Sequence, residues 1–158
     1  MEKTNAMRLL DSKKIKYEVH TYPHEEGVCV DGMTVAELLN QNPHQVFKTL
    51  VCTGAGQHYV CVVPVAEELD LKKAAKAFGV KSLELVAVKD LFPLTGYIRG
   101  GCSPIGMKKS FLTVVDCTAP QNDTIIFSGG KIGLQLEMKP GDLAKVIRVI
   151  FKDILREA

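Results

Sequence analysis

The chain has 158 residues, the size of one ordinary domain, so 1–158 is expected to fold around its own core without disulfide or metal staples. It is 46% hydrophobic and 24% charged, with 13 Gly and 7 Pro, which excludes a disordered, collagen-like or coiled-coil protein. The net charge of +2 divides into 9 Lys/Arg against 10 Asp/Glu over 1–79 and 11 against 8 over 80–158, a mild asymmetry that permits contact with a few phosphates but falls short of a dedicated nucleic-acid binder.

The longest apolar run, Tyr59 to Ala66, already contains Pro64 and is far shorter than the ~20 residues of a membrane helix. No apolar stretch backs the charged N-terminus, so no secretory signal and no membrane partner are expected, and the expected location is cytoplasmic. The cysteines (Cys29, Cys52, Cys61, Cys102 and Cys117) are odd in number and lack CxxC spacing, which fits reduced, mostly buried thiols and no zinc site.

In chain order, Thr4 predicts the cap of a helix running to Lys13, with Ala6, Leu9 and Leu10 on one face. Ile15 to Tyr22 reads as a strand. His20 and His24 have the spacing of a helical metal site, but Pro23 and the strand pattern separate them, so no metal is expected there. Residues 25–32 read as a loop, and Thr34-Val-Ala-Glu37 as a capping box opening a short helix through Leu39. Val46–Thr53 and Tyr59–Val65 predict a hairpin closed by Gly54-Ala-Gly56-Gln-His58. Asp70 and Gly79 bracket a helix with Leu71, Ala74, Ala75 and Phe78 inward.

Leu83–Val88 predicts a further strand, Lys89–Phe92 a helical turn, and Gly96–Gly106 a loop with four glycines in eleven residues. Leu112–Asp116, Thr124–Ser128 and Lys131–Met138 predict three closing strands, the last two joined by a tight Gly129-Gly130 turn. Asp142 then predicts the cap of a final helix with Leu143, Val146, Ile147, Ile150, Ile154 and Leu155 as its apolar stripe. Hairpin-length connections favour an α+β fold: a single domain with a curved, mixed, largely antiparallel sheet flanked by helices.

Familiar nucleotide and nucleophile motifs fail on inspection. Gly101-Cys-Ser-Pro-Ile-Gly106-Met-Lys108 places its lysine one residue late for a P-loop, and Pro104 removes a backbone donor from the cradle. The same loop has Ile105 where a nucleophile elbow needs glycine, and Gly54-Ala-Gly56 lacks a dinucleotide fingerprint's third glycine. Cys102 has no histidine near it in sequence to activate it. Two features stand out. Lys48 interrupts an apolar strand, so its ammonium must reach solvent or meet an anion. The pairs Gly100-Gly101 and Gly129-Gly130, the second preceded by Ser128, would let backbone approach a ligand closely.

Phe47-Lys-Thr-Leu50, Pro64-Val-Ala, Leu69-Asp-Leu-Lys-Lys73, Thr95-Gly-Tyr-Ile-Arg-Gly-Gly-Cys-Ser-Pro-Ile-Gly106, Ser128-Gly-Gly-Lys131 and Gly141-Asp-Leu-Ala-Lys145 occur in series along nearly the whole chain. In this order and spacing they resemble the YbaK family of aminoacyl-tRNA deacylases, relatives of the editing domain of prolyl-tRNA synthetases. The resemblance implies a trans-editing hydrolase that deacylates Cys-tRNA(Pro), and more widely cysteinyl-tRNA, with the substrate's own thiol as nucleophile and no cofactor. It implies as partners the 3′ acceptor end of aminoacyl-tRNA and, transiently, prolyl-tRNA synthetase.

By the same resemblance Lys48 holds the acceptor end, Ser128 hydrogen-bonds near the ester, and Gly100 with Gly101 leaves room for the aminoacyl group. Tyr22 and Thr49 line its pocket. Gln135 stands where the family pattern has an acidic residue and is expected to hydrogen-bond the substrate, and the 25–32 loop lacks the family's aromatic near Cys29 and Val30. The alternative is a module that binds aminoacyl-tRNA or a synthetase without hydrolysis, which would tolerate loss of Lys48.

Overall fold

The computed structural model describes residues 2–157. The Thr4 hydroxyl accepts from the Met7 amide at 3.2 Å and caps α1 (Asn5–Ser12), which buries Ala6, Met7 and Leu10. β1 (Glu18–Thr21) follows. α2 (Gly32–Leu38) opens earlier than the Thr34 capping box predicts, because the Asp31 carboxylate accepts from the Met33 and Thr34 amides and takes the cap position itself. β2 (Phe47–Gly54) and β3 (Gln57–Pro64) form the predicted hairpin, turning on Ala55 and Gly56 at φ 53° and 74°, the geometry that matches strand twist.

Asp70 caps α3 (Leu71–Phe78) and Gly79 ends it in a left-handed conformation, as expected. β4 is only Glu84–Leu85, and the turn expected at Lys89–Phe92 is the longer α4 (Val88–Thr95), which carries Pro93 inside it. β5 (Thr113–Asp116), β6 (Ile125–Ser128), β7 (Leu134–Met138) and β8 (Val149–Lys152) complete the fold, with 3-10 turns at Ala119–Gln121 and Pro140–Lys145.

The fold is α+β and its pairings are largely antiparallel, but the strands make two sheets rather than one. A three-stranded antiparallel sheet runs β1-β7-β6; a five-stranded sheet runs β4-β2-β3-β5-β8, with β3, β5 and β8 mutually parallel. A single parallel bridge, Val46 to Ile126, joins them. Both faces of the five-stranded sheet are covered. Phe47, Val51, Val60 and Val62 enter the main core, while Cys52, Cys61 and Val63 enter a second core under α3. The three-stranded sheet sends Leu134, Leu136, Ile125 and Phe127 into the main core, and its other face carries Glu18, His20, Ser128, Gln135 and Glu137 beside Ile126, which packs with Ala36, Val46 and Val65.

Two expectations fail at the chain's C-terminal third. The link between β6 and β7 is not a tight Gly129-Gly130 turn, since β7 begins only at Leu134. The final helix capped by Asp142 is absent. Pro140–Lys145 is a 3-10 turn, and Val149–Lys152 is a strand parallel to β5. The run Val146-Ile-Arg-Val-Ile-Phe is rich in β-branched residues, which lose rotamer freedom in a helix and pack well in a sheet, so the stripe at 3.6 spacing loses to strand pairing. The Asp116 carboxylate accepts the Ile154 amide at 3.1 Å and fixes the end of that strand. No helix among the described residues is long and apolar enough to cross a membrane.

Candidate active site

Paired residues in a ladder share a face, so the register defines a polar row across the three-stranded sheet. His20 pairs with Gln135, and Gln135 with Ser128. Two residues further along, on the same face, Glu18 pairs with Glu137 and Glu137 with Ile126. The Val46–Ile126 bridge carries the same face onto the neighbouring sheet, where Lys48 follows Val46 by two residues as Ser128 follows Ile126. Strand pairing thus sets Lys48, Ser128, Gln135 and His20 on one surface from four separate strands.

The five residues between β6 and β7 gather the other predicted positions. The Tyr22 amide donates to the Gly133 carbonyl at 3.0 Å, and its ring packs with Val35 and Ile132. A Cβ on Gly101 would lie 2.8 Å from the Lys131 Cα and 3.0 Å from the Ile132 nitrogen, backbone that cannot move aside as a side chain would. Gly100 has φ +84°, and a Cβ there would meet the Cys29 sulfur at 2.7 Å. Both glycines are therefore required, one by contact and the other by contact and backbone conformation. The Ser128 hydroxyl accepts from the Gly130 amide at 3.3 Å. Cys29, from the loop that lacks an aromatic, is the side chain seated on Gly100.

Lys48 is half-buried, and its ammonium has no salt bridge or hydrogen bond among the described residues. Thr49 alternates to the opposite side of β2, and its hydroxyl oxygen is buried without any hydrogen-bond partner. An unpaired buried hydroxyl costs about 1–3 kcal/mol, so native structures keep few of them. Gln135 is 4% exposed and already holds a partner: its amide and that of Gln41 bond reciprocally at 2.8 and 3.2 Å. Each carboxamide keeps one N–H and one lone pair after that exchange.

Cys102 is buried, and burial pushes its thiol up to about 12, so it remains a thiol and supplies no nucleophile at neutral pH. All five cysteines are free; Cys29 and Cys117 are exposed rather than buried. His24 bonds the Glu25 carbonyl, whereas His20 Nε2 meets Glu137 Oε1 at 2.7 Å, so the two histidines share no site. Glu18, His20 and Glu137 set donor atoms within 4.8 Å of one another and are the residues that could hold a cation. Burial raises the Glu137 carboxyl, but hydrogen bonds from Thr124 and His20 outweigh it and the net shift is downward. Beside this group lies an open cleft of about 460 Å³ between β1 and residues 39–45. Its lining includes Asn40, Gln41, Asn42 and Gln45, a dense run of amides that matches no motif in the sequence.

The turn cradled by Gly100 and Gly101 and a lysine without a partner among the described residues are thus in place, and the buried Cys102 thiol is not ionised. The model of the aminoacyl-tRNA editing domain matches residues 30–146, and the chain belongs to that family of hydrolytic deacylases. A curated relative from Enterococcus faecalis (strain ATCC 700802 / V583), "Putative Cys-tRNA(Pro)/Cys-tRNA(Cys) deacylase EbsC", is 44% identical over 154 residues, covering 97% of this chain and 93% of the relative. Among solved structures, a "putative trans-editing enzyme for prolyl tRNA synthetase" matches with TM-score 0.82 and 22% identity, covering 100% of both chains. A hypothetical protein matches with TM-score 0.85 and 20% identity over 97% of this chain and 100% of its own. These two likenesses establish the fold.

Proposed function

We propose that the chain acts as a single trans-editing domain that removes cysteine from tRNA(Pro), and more widely from cysteinyl-tRNA, with Lys48, Ser128 and Gly100 around the ester. In this reading the Lys48 ammonium binds the phosphate of the terminal nucleotide. Gly100 and Gly101 admit the aminoacyl group, Ser128 hydrogen-bonds at the ester, and Tyr22 lines the side-chain pocket; Thr49, expected to line it too, instead shares the core face of β2 with Phe47 and Val51. Gln135 offers its remaining N–H and lone pair to the substrate. The substrate thiol forms a bond to its own carbonyl carbon, the ester C–O bond breaks, and the 3′-oxygen leaves with the thiol's proton. Water then opens the thioester to release cysteine. An activated ester needs little more than positioning and charge stabilisation from the protein.

The observation that carries this reading is the unpaired Lys48 ammonium on the face it shares, through the Val46–Ile126 bridge, with Ser128 and Gln135. The name of the 44% identical relative supports the cysteinyl substrate. A small domain of net charge +2 grips tRNA weakly by itself, which supports a transient prolyl-tRNA synthetase partner in the cytoplasm. The test is deacylation of cysteinyl-, alanyl-, seryl- and prolyl-tRNA(Pro) by the native chain and by Lys48→Ala. Loss of cysteine alone, abolished in a variant that stays folded, is expected. Hydrolysis of the alanyl ester instead moves the specificity, and tRNA binding with no hydrolysis establishes the binding-module alternative.

A further inference from the structure

The two segments that meet at Gly100 carry opposite charge. Residues 17–47 hold five carboxylates (Glu18, Glu25, Glu26, Asp31 and Glu37) and neither lysine nor arginine, and this segment seats Cys29 on Gly100. Residues 91–115, which contain Gly100 itself, hold Arg99, Lys108 and Lys109 and no carboxylate. All three cations are exposed, and the local structure holds them in place. The Gly101 amide donates to the Ile98 carbonyl at 2.9 Å, and with Gly100 at φ +84° this closes a turn of type II with Arg99 at its tip. The Lys108 amide donates to the Thr95 carbonyl at 2.9 Å and ties its loop to the end of α4. The Lys108 ammonium lies 5.8 Å from the centre of the Phe92 ring, an exposed aromatic one turn back along that helix.

None of the three makes an ion pair among the described residues. Nor does Lys89 at the start of α4, or Lys131, whose backbone lies against Gly101. α4 has eight residues, about 12 Å from end to end, and carries Asp90 as its carboxylate. The cations therefore run from Lys131 and Arg99 at the glycines, past Lys108 at the C-terminal end of α4, to Lys89 at its N-terminal end. This local positive field is hidden in a net charge of only +2. Leu85 and Val88 are exposed beside Lys89 and would suit an apolar protein face. Such a cover would desolvate unpaired cations at a cost, whereas phosphates would supply the partners they lack. A phosphate backbone that left the glycines along the other segment would meet the exposed Glu25 and Glu26 instead.

We propose that this cationic track is the path by which the tRNA acceptor stem leaves the site, its phosphates lying along Arg99, Lys108, Lys109 and Lys89, an inference that rests on the deacylase reading of the neighbouring site. Phosphate contacts fix position without reading sequence, so the track sets the direction of any acceptor stem and leaves the choice of tRNA to other contacts.

The test follows binding of uncharged tRNA(Pro) by fluorescence anisotropy from about 50 to 200 mM salt, where each phosphate contact adds about one to the slope of log K against log salt concentration. The double variant Lys108→Gln with Lys109→Gln is expected to bind more weakly and to lower that slope by about two. Lys72→Gln with Lys76→Gln removes two exposed cations from α3 and is expected to leave the slope unchanged. Thermal melts verify that both variants stay folded. An unchanged slope in the first variant, an equal loss in the second, or no binding by the native chain overturns the proposal. So does a loss seen only when prolyl-tRNA synthetase is added, which gives the surface to a protein partner. Deacylation of cysteinyl-tRNA is measured in parallel, and the first variant is expected to raise KM with kcat retained. Hydrolysis with an unchanged slope removes the track and leaves the deacylase reading intact. A lowered slope without hydrolysis by the native chain removes the deacylase reading while the track remains an RNA surface.

Discussion

The two sheets divide the labour of the molecule differently. The five-stranded sheet is buried on both faces, with Val60, Cys61, Val62 and Val63 all fully enclosed, and it leaves almost no surface to function. The three-stranded sheet buries Leu134 and Leu136 but turns Gln135 and Glu137 the other way, and every polar residue of the row lies on that spare face. Alternation in a strand is what makes this possible, since one face secures the core and the other is free to carry chemistry. Lys48 and Thr49 are the exceptions: polar residues that the five-stranded sheet tolerates at its joint with the smaller one.

That contrast breaks first at Lys48. Lys48→Ala is expected to lower the rate of ester hydrolysis on the order of 10²-fold while leaving the melting temperature close to native, because the lysine has no internal partner to lose. A fall in Tm comparable to a core substitution would place Lys48 among the structural residues instead. Gly101→Ala probes the turn that gathers the site. The added methyl would press on Lys131 and Ile132 backbone, so unfolding by denaturant is expected to show about 1–3 kcal/mol of lost stability together with lost activity.

Thr49→Val sharpens the comparison in the opposite direction. Removing a buried hydroxyl that has no partner, on the side of β2 away from Lys48, is expected to raise stability by about 1 kcal/mol with turnover unchanged, and calorimetry that found a loss would show the hydroxyl to be bonded after all. The smallest effect is expected at Glu137. Its carboxyl sits below the ordinary value in the folded chain, so it contributes stability above the unfolded value of about 4.3 and loses it as pH falls through the lower, folded value. Glu137→Gln is expected to flatten that acid limb in thermal melts between pH 3 and 5, an effect reduced by the residue's partial exposure to water.

Local signals carried most of the elements. Thr4 and Asp70 act as caps, Gly79 as a terminator, and the β2–β3 hairpin turns where its glycines and alanine lie, because each depends on a few neighbouring residues. Where two local patterns competed, tertiary pairing chose. Asp31 displaced Thr34 at the start of α2, and the parallel partner β5 drew 149–152 into a strand. The motifs around Lys48, Gly100, Gly101 and Ser128 were legible as a series, but their proximity was not.

By itself the sequence determined the class of fold, the family and the residues with unexplained chemistry, since those rest on residue type, spacing and short-range hydrogen bonding. Only the tertiary structure decided that four strands share one polar face, that Thr49 has a buried hydroxyl without a partner, and that a carboxylate-rich segment and a cationic one meet at Gly100. Register and amide orientation are set by partners that lie far apart in the chain, such as Gln45 with Thr124 and Gln41 with Gln135, and no local pattern encodes them.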